Sequence, residues 1–239
     1  MKSSRVNLIL AICSIFVQRL LFETVVFDLY ELPFASCLMI FESQKANIIL
    51  MLYTILPIPF ILFIFSGMTK ELTEGCGKLW IIRNYQKEKL YLKIIGSCAV
   101  ELFVVVICQV FVFSINQRNW KSILVNEIGQ IMVIYYLGIL EIVLLQSVLE
   151  LFIDVSYANL ITNIFLVGSL WLGNIFLPIE KMKWIGLLLF PNMLFGGRNG
   201  IIRQETIHIE YDYLLCYLVF LIILSGGVFI LKFNKKDIF

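Results

Sequence analysis

Apolar residues along this chain gather into six long runs separated by polar segments. Each run approaches the length of about 20 residues that an α-helix needs to cross a bilayer. The pattern therefore predicts six transmembrane helices, at residues 6–26, 48–68, 94–115, 128–153, 159–176 and 213–233. Since these spans use about half of the chain, we expect an all-α polytopic membrane protein with a single domain, residues 1–239.

The first run follows a basic start, as the apolar part of a secretory signal does. Gln18, Arg19 and Glu23 interrupt it, and no small-residue cleavage site precedes Glu31. We therefore expect this helix to be retained. Arg19 and Glu23 are four residues apart, which puts them on one helix face and within reach of an ion pair.

The lysines and arginines predict the orientation, because positive charge accumulates on the cytoplasmic side of a membrane. With both termini cytoplasmic, eleven basic residues lie inside and seven outside. The inner set is Lys2, Arg5, Lys70, Lys78, Arg83, Lys87, Lys89, Lys93, Lys232, Lys235 and Lys236. The outer set is Lys45, Arg118, Lys121, Lys181, Lys183, Arg198 and Arg203.

Composition narrows the class of protein further. Hydrophobic residues make up 60% of the chain and charged residues 15%, against roughly half and a quarter in soluble domains. A net charge of +2 is too small to indicate a nucleic-acid partner. The single histidine offers no basis for a histidine-rich metal site or a histidine-based triad.

The segment between the second and third spans, residues 69–93, holds nine of the 36 charged residues. Within it, an apolar cluster at residues 79–82 is followed by Arg83, Asn84 and Tyr85. A short amphipathic stretch of this kind suits either the membrane surface or a soluble partner. Composition alone does not choose between the two.

Three features of the sequence resemble the permease subunits of ABC-2 type transporters. Within that family, they are most similar to the small permeases of bacterial systems for immunity to, and export of, lantibiotics and other peptides. The first is Glu74-Gly75, with the apolar stretch to Ile82 and the lysines that lead into the third span. The others are the basic tail KFNKKDIF and residues 178–205, which resemble that family's tail and extracellular helical hairpin. Residues 83–85 depart from the family, in which a proline-serine turn is usual.

The resemblance implies the permease of an ABC exporter in a bacterial plasma membrane, which moves an amphipathic or antimicrobial peptide out of the cell for self-protection. Its partners would be two copies of an ABC ATPase, a second permease, identical or related, the lipid bilayer and the peptide, with no nucleic acid. The loop after the second span would be a cytoplasmic coupling helix. Its ATPase-coupling residues would be Glu74, Gly75, Leu79, Trp80, Arg83, Asn84 and Tyr85.

We expect this chain not to be an enzyme. A P-loop follows the pattern GxxxxGK[ST]. The nearest string, residues 75–79, lacks the first glycine and has Leu79 where Ser or Thr would bind magnesium. ATP and Mg would therefore be bound by the partner ATPase, and no cofactor or metal is expected in this chain.

Polar side chains at membrane depth are costly, so each calls for a structural or a functional explanation. If the third and fourth spans are neighbours, their polar residues would line one seam between the two helices. These residues would either form interhelical hydrogen bonds or line a path for a cationic substrate. The candidates on these two spans are Glu101, Gln109, Glu141 and Gln146. On the first span, Arg19 and Glu23 would form either a structural ion pair or part of the permease–permease interface or substrate path. Glu150 and Asp154, at the end of the fourth span, are expected to be solvated.

In the predicted outer hairpin, Trp184, Phe190 and Phe195 are expected to anchor at the membrane interface or to contact a membrane-bound peptide. Two other functions remain open. One is a membrane-embedded substrate-binding subunit of a small-molecule uptake transporter, a class that usually lacks a long charged loop after the second span. The other is an intramembrane protease, whose chemistry requires a glutamate pair and histidines within the spans; the single histidine, His208, lies in a predicted outer loop, which argues against it.

Overall fold

The structure is a computed structural model that describes residues 2–25, 34, 48–70, 87–114, 125–177, 179, 181–199, 201 and 209–235. All regular structure within these ranges is helical, as the sequence predicts. The helices are α1 (Lys2–Val25), α2 (Ile48–Ile55), α3 (Pro57–Phe65), α4 (Lys87–Ser114), α5 (Val125–Leu149), α6 (Val155–Phe176), α7 (Lys183–Leu188), α8 (Gly196–Asn199) and α9 (Tyr211–Lys235). A 3-10 helix, η1 (Phe190–Leu194), lies between α7 and α8.

Within the described residues, five stretches are long and apolar enough to cross a membrane, which makes the chain a multi-pass membrane protein. They are Met51–Lys70, Lys89–Phe113, Ile128–Leu149, Val155–Phe176 and Tyr211–Phe233. The apolar part of α1, Leu8–Leu21, is shorter than these. Helix α1 nevertheless packs against α3 and α4 within the same bundle.

The second span is broken between α2 and α3, at Leu56. Pro57 is the first residue of α3, and Pro59 lies in the same turn. Proline lacks a backbone N–H and clashes with the preceding turn, so a helix tolerates it best where the helix begins. Leu56 keeps a helical φ of −44° and ψ of −45°, so the prolines interrupt the hydrogen bonding of the second span and not its helical conformation.

Helix α5 is central and contacts α3, α4, α6, α9 and η1. At one end of the bundle, which we call the loop end, Gly67 lies beside Glu150 and the ring of Tyr91 stacks on Phe229 at 3.9 Å. At the opposite hairpin end, Tyr135 of α5 lies near Phe195, with ring centroids 6.3 Å apart. The long helices α4, α6 and α9 carry exposed apolar faces suited to lipid.

The predicted charged loop is shorter than residues 69–93. Helix α4 begins at Lys87, so the last seven residues of that segment are helical. Residues 71–86, which include the predicted coupling residues, lie outside the described part of the chain. The predicted hairpin at 178–205 is described at residues 179, 181–199 and 201, where it forms three short helices.

Candidate functional site

A buried carboxylate holds the base of the charged loop. Glu150 follows α5 and is only 7% exposed. Its Oε1 accepts a hydrogen bond from the backbone N–H of Gly67 at 2.8 Å, and its Oε2 accepts one from the N–H of Thr69 at 3.2 Å. Gly67 has a φ of +83°, a conformation that glycine adopts without steric cost. The sequence needs glycine here to turn the chain over the carboxylate.

Further hydrogen bonds join the same two helix ends. The Thr69 hydroxyl donates to the Ser147 carbonyl at 3.1 Å. The Gln146 amide donates to the Leu62 carbonyl at 3.3 Å and to Glu150 Oε1 at 3.4 Å. We call Gly67, Thr69, Gln146, Ser147 and Glu150 the loop clamp. It fastens the end of the second span to the end of α5.

The loop clamp corrects one expectation from the sequence. Glu150 was expected to be solvated, but it is buried, because two backbone amides at the end of the second span converge on its carboxylate. Asp154, four residues further along, is exposed as expected. The predicted coupling residues at 74–85 lie outside the described residues, and the clamp ends at Thr69, just before them.

At the hairpin end, a buried arginine organises the three short helices. Arg198 is 1% exposed. Its guanidinium donates to the Leu170 carbonyl at 3.0 Å and to the side-chain oxygens of Asn174 and Asn192. These acceptors are all neutral. Loss of hydration disfavours the charged form, so burial lowers the pKa of Arg198 to about 9, and the group remains protonated at neutral pH.

Asn192 connects that arginine to the turns of the hairpin. Its amide Nδ2 donates to the carbonyls of Ser169, Gly186 and Leu189, at 3.0, 2.9 and 3.2 Å. We call Asn174, Asn192 and Arg198, with the backbone carbonyls they bind, the hairpin network. It fixes residues 186–198 to α6.

Two glycines allow the hairpin to approach the long helices closely. A Cβ at Gly173 would lie 2.6 Å from Asn192 Cγ and 2.7 Å from Arg198 Nη1. A Cβ at Gly138 would lie 2.6 Å from the Leu194 side chain. Glycine is therefore required by packing at both positions. The second half of the hairpin, η1 and α8, is buried against α5 and α6, whereas α7 has exposed side chains.

The predicted aromatic anchors of the hairpin have different environments. Phe190 and Phe195 are buried, and Phe190 packs on Phe165 with ring centroids 5.6 Å apart. Because these two rings fill the bundle, the structure does not place them as interfacial anchors. Trp184 is 75% exposed, and its role as an interfacial anchor stays a prediction.

The predicted polar seam between the third and fourth spans is divided among separate contacts. Gln109 of α4 donates to Gln18 Oε1 at 2.9 Å, and Gln18 in turn donates to the Tyr53 and Thr54 carbonyls at 2.9 Å. Glu141 of α5 instead accepts a 2.6 Å hydrogen bond from Ser225 of α9. These bonds tie α1 to α2 and α4, and α5 to α9.

The remaining candidates lie apart from those contacts. Glu101 is exposed on α4, whereas Glu141 is buried on α5. The guanidinium carbon of Arg19 lies 5.4 Å from the centre of the Phe113 ring, a cation–π contact. The side chain of Glu23 lies outside the described residues, so its ion pair with Arg19 stays a prediction.

Sequence reasoning did not single out Asn192 or Arg198 as functional candidates. A weak signal was present: both are polar residues in the otherwise apolar stretch that follows the fifth span. The sequence identifies Arg198 only as an outer charge, since nothing in the spacing shows that α6 supplies its acceptors.

These features define a helical multi-pass membrane protein whose last span is preceded by a hairpin, and the second half of that hairpin, from Phe190 to Asn199, is buried in the bundle. A family model matches residues 11–239, and the chain belongs to that family, which is described as a protein of unknown function (DUF2705). No curated protein and no solved structure matches the chain.

Proposed function

We propose that this chain is the permease subunit of an ATP-driven exporter, with six spans, both termini in the cytoplasm and a peptide as substrate. The resemblance to ABC-2 type permeases supports the proposal, and the observation that carries it is the loop clamp. A buried carboxylate fixes the base of the charged loop to α5, the central helix. A separate ATPase that moved this loop would therefore move α5 with it.

The same packing offers a route from the loop end to the hairpin end. Helix α5 contacts η1, where Leu194 rests on Gly138. It also contacts α9 through the hydrogen bond between Glu141 and Ser225. Displacement of α5 would therefore also displace the hairpin and the last span. An exporter needs such a movement to switch its substrate path from one side of the membrane to the other.

Helix α1 would supply the sixth span. Its 24 residues extend about 36 Å at 1.5 Å per residue, enough to cross the hydrocarbon layer. Its one fully buried glutamine, Gln18, is hydrogen-bonded to the broken second span and to α4. A polar residue satisfied in this way is compatible with membrane depth.

Co-purification tests the ATPase partnership. The tagged chain should retain an ABC ATPase encoded beside it, and alanine at Trp80, Arg83 or Tyr85 should weaken that association. The matched control is Lys89→Ala, a change at an exposed position of α4 beyond the apolar cluster. Full retention of the ATPase by all three variants would refute the coupling assignment, provided that membrane insertion is unchanged.

Peptide export is tested in cells. Cells that lack the chain should become more sensitive to a cationic antimicrobial peptide or export less of it, and the wild-type chain should restore the phenotype. An unchanged response across a peptide panel would count against a peptide substrate. Tight binding of a small molecule by the chain would instead support the uptake-subunit alternative.

A further inference from the structure

Glu101 occupies an unusual position on the third span. It lies seven residues from the predicted start of the third span at Ile94 and twelve residues, about 18 Å at 1.5 Å per residue, from each end of the helical stretch Lys89–Phe113, so it is at membrane depth by either boundary. Its side chain is exposed on the outside of the bundle. Among the residues that the structure describes, none forms a hydrogen bond or an ion pair with its carboxylate.

This exposure is costly in a membrane. A charged side chain at the bilayer centre costs about 2.5–3.5 kcal/mol on insertion scales, and such residues nearly always face the bundle interior or pair with another group. The other candidates in the spans follow that rule, since Gln109, Glu141 and Gln146 are all buried and hydrogen-bonded. Glu101 differs because no residue in the described part of the bundle pairs with its carboxylate.

The residues around Glu101 fit a second helix. Gly96, Ser97, Val100 and Val104 are exposed on the same face of α4, at spacings of three and four residues. No atom lies within 4 Å of a Cβ built at Gly96. Small residues let two transmembrane helices approach closely, so that a polar group between them is shielded from lipid.

The charge of Glu101 indicates which kind of helix would pack on this face. A carboxylate at mid-membrane depth is complementary to a basic side chain at the same depth. In the spans that the structure describes, the basic residues lie toward the ends: Arg19, Lys70, Lys89, Lys93 and Lys232. A second copy in the same orientation would therefore bring no cation to Glu101, and two-fold packing on this face would oppose two carboxylates.

We propose that the α4 face formed by Gly96, Ser97, Val100, Glu101 and Val104 is a docking surface for a transmembrane helix of a different chain, which carries a basic residue near the middle of the membrane. The inference depends only on membrane insertion and is independent of the ATPase partnership. If the chain works beside a second permease, this face selects a related subunit rather than an identical one.

Association with synthetic helices in vesicles tests the docking surface. The dye-labelled full-length chain is mixed with leucine-rich transmembrane peptides of about 20 residues, and energy transfer reports binding. One peptide has a central arginine, a second has leucine there, and a third has the arginine near one end. The central-arginine peptide should bind the wild-type chain about 5- to 30-fold more tightly, as an interhelical polar contact of about 1–2 kcal/mol provides.

Variants of the chain locate the contact. Glu101→Leu should remove the preference for central arginine, and Ser97→Ile should weaken it by crowding the face. The double variant Glu101→Leu/Ile223→Glu moves the carboxylate to an exposed position in the middle of α9 and should not restore binding.

Three results would overturn the proposal. Equal affinity of the wild-type chain and Glu101→Leu for the central-arginine peptide would show that the carboxylate recruits no helix. Full recovery in the double variant would show that any mid-membrane carboxylate suffices and that the α4 face is not specific. Self-association of the wild-type chain that Glu101→Leu abolishes would show that a second copy covers the face.

Discussion

The carboxylate of Glu150 accepts a 2.8 Å hydrogen bond from the backbone N–H of Gly67, 83 positions earlier in the sequence. The other carboxylate oxygen accepts the N–H of Thr69. Both donors belong to the segment that leaves the second span and enters the charged loop. A single buried side chain therefore fixes how that loop begins, and several consequences of this arrangement can be measured.

Replacement of Glu150 by glutamine should destabilise the protein. The amide presents one acceptor oxygen where the carboxylate presents two, so the N–H of Gly67 or Thr69 loses its partner. A buried donor left unpaired costs about 1–3 kcal/mol, and thermal unfolding in detergent should show a lower Tm. Asp154→Asn removes an exposed carboxylate near the same helix end and should change stability by less than about 0.5 kcal/mol. Equal Tm values for the two variants would contradict the loop clamp.

Gly67→Ala tests the backbone of the clamp separately from its carboxylate. The nearest atom to an added Cβ is Val155 Cγ1 at 3.8 Å, an ordinary contact, so any loss reflects the positive φ. A left-handed conformation costs a residue with a side chain about 1–2 kcal/mol. Gly129→Ala is the matched control, because Gly129 lies in α5 with open space around it, and alanine favours helix by up to about 1 kcal/mol. Opposite shifts in Tm are expected, and a stabilised Gly67→Ala would refute the account.

The helices were predictable from the sequence, whereas the polar contacts between them were not. Runs of apolar residues identify spans because each must match the thickness of a bilayer, and the break at Pro57 follows from proline's missing donor. The partner of Glu150 lies in another helix, so no local spacing encodes it. The sequence predicts Gln109 in a seam with α5, but its amide donates to Gln18 of α1, because the sequence does not show which helix faces meet.

The close approach of the hairpin to α6 predicts that Gly173 cannot be enlarged. A Cβ there would overlap Asn192 and lie 2.7 Å from Arg198 Nη1, so Gly173→Ala should displace the hairpin network. Overpacking of a well-packed site typically costs about 1–3 kcal/mol. Gly168→Ala, one and a half turns earlier in α6, meets no atom within 4 Å and should be neutral or stabilising. A Tm loss of the same size in both variants would attribute the effect to α6 itself rather than to the hairpin.

Two asparagines of the hairpin network should respond in opposite directions to the same substitution. The partly buried Asn174 accepts a hydrogen bond from Arg198 through its side-chain oxygen. Because all acceptors of Arg198 are neutral, Asn174→Asp would give this cation a negatively charged partner. Its Tm should stay the same or rise, because charge-assisted hydrogen bonds are about twice as strong as neutral ones.

Asn192 also accepts from Arg198, but its Nδ2 donates to three backbone carbonyls. In Asn192→Asp an ionised oxygen, which cannot donate, would face those carbonyls. The loss of these hydrogen bonds should lower the free energy of unfolding by about 1–3 kcal/mol or more. Thermal unfolding of both variants in the same detergent gives the comparison, with accessibility of a cysteine placed at Trp184 as a second readout of hairpin position. If Asn192→Asp matched Asn174→Asp in both measurements, the orientation of the Asn192 amide and the network built on it would be wrong.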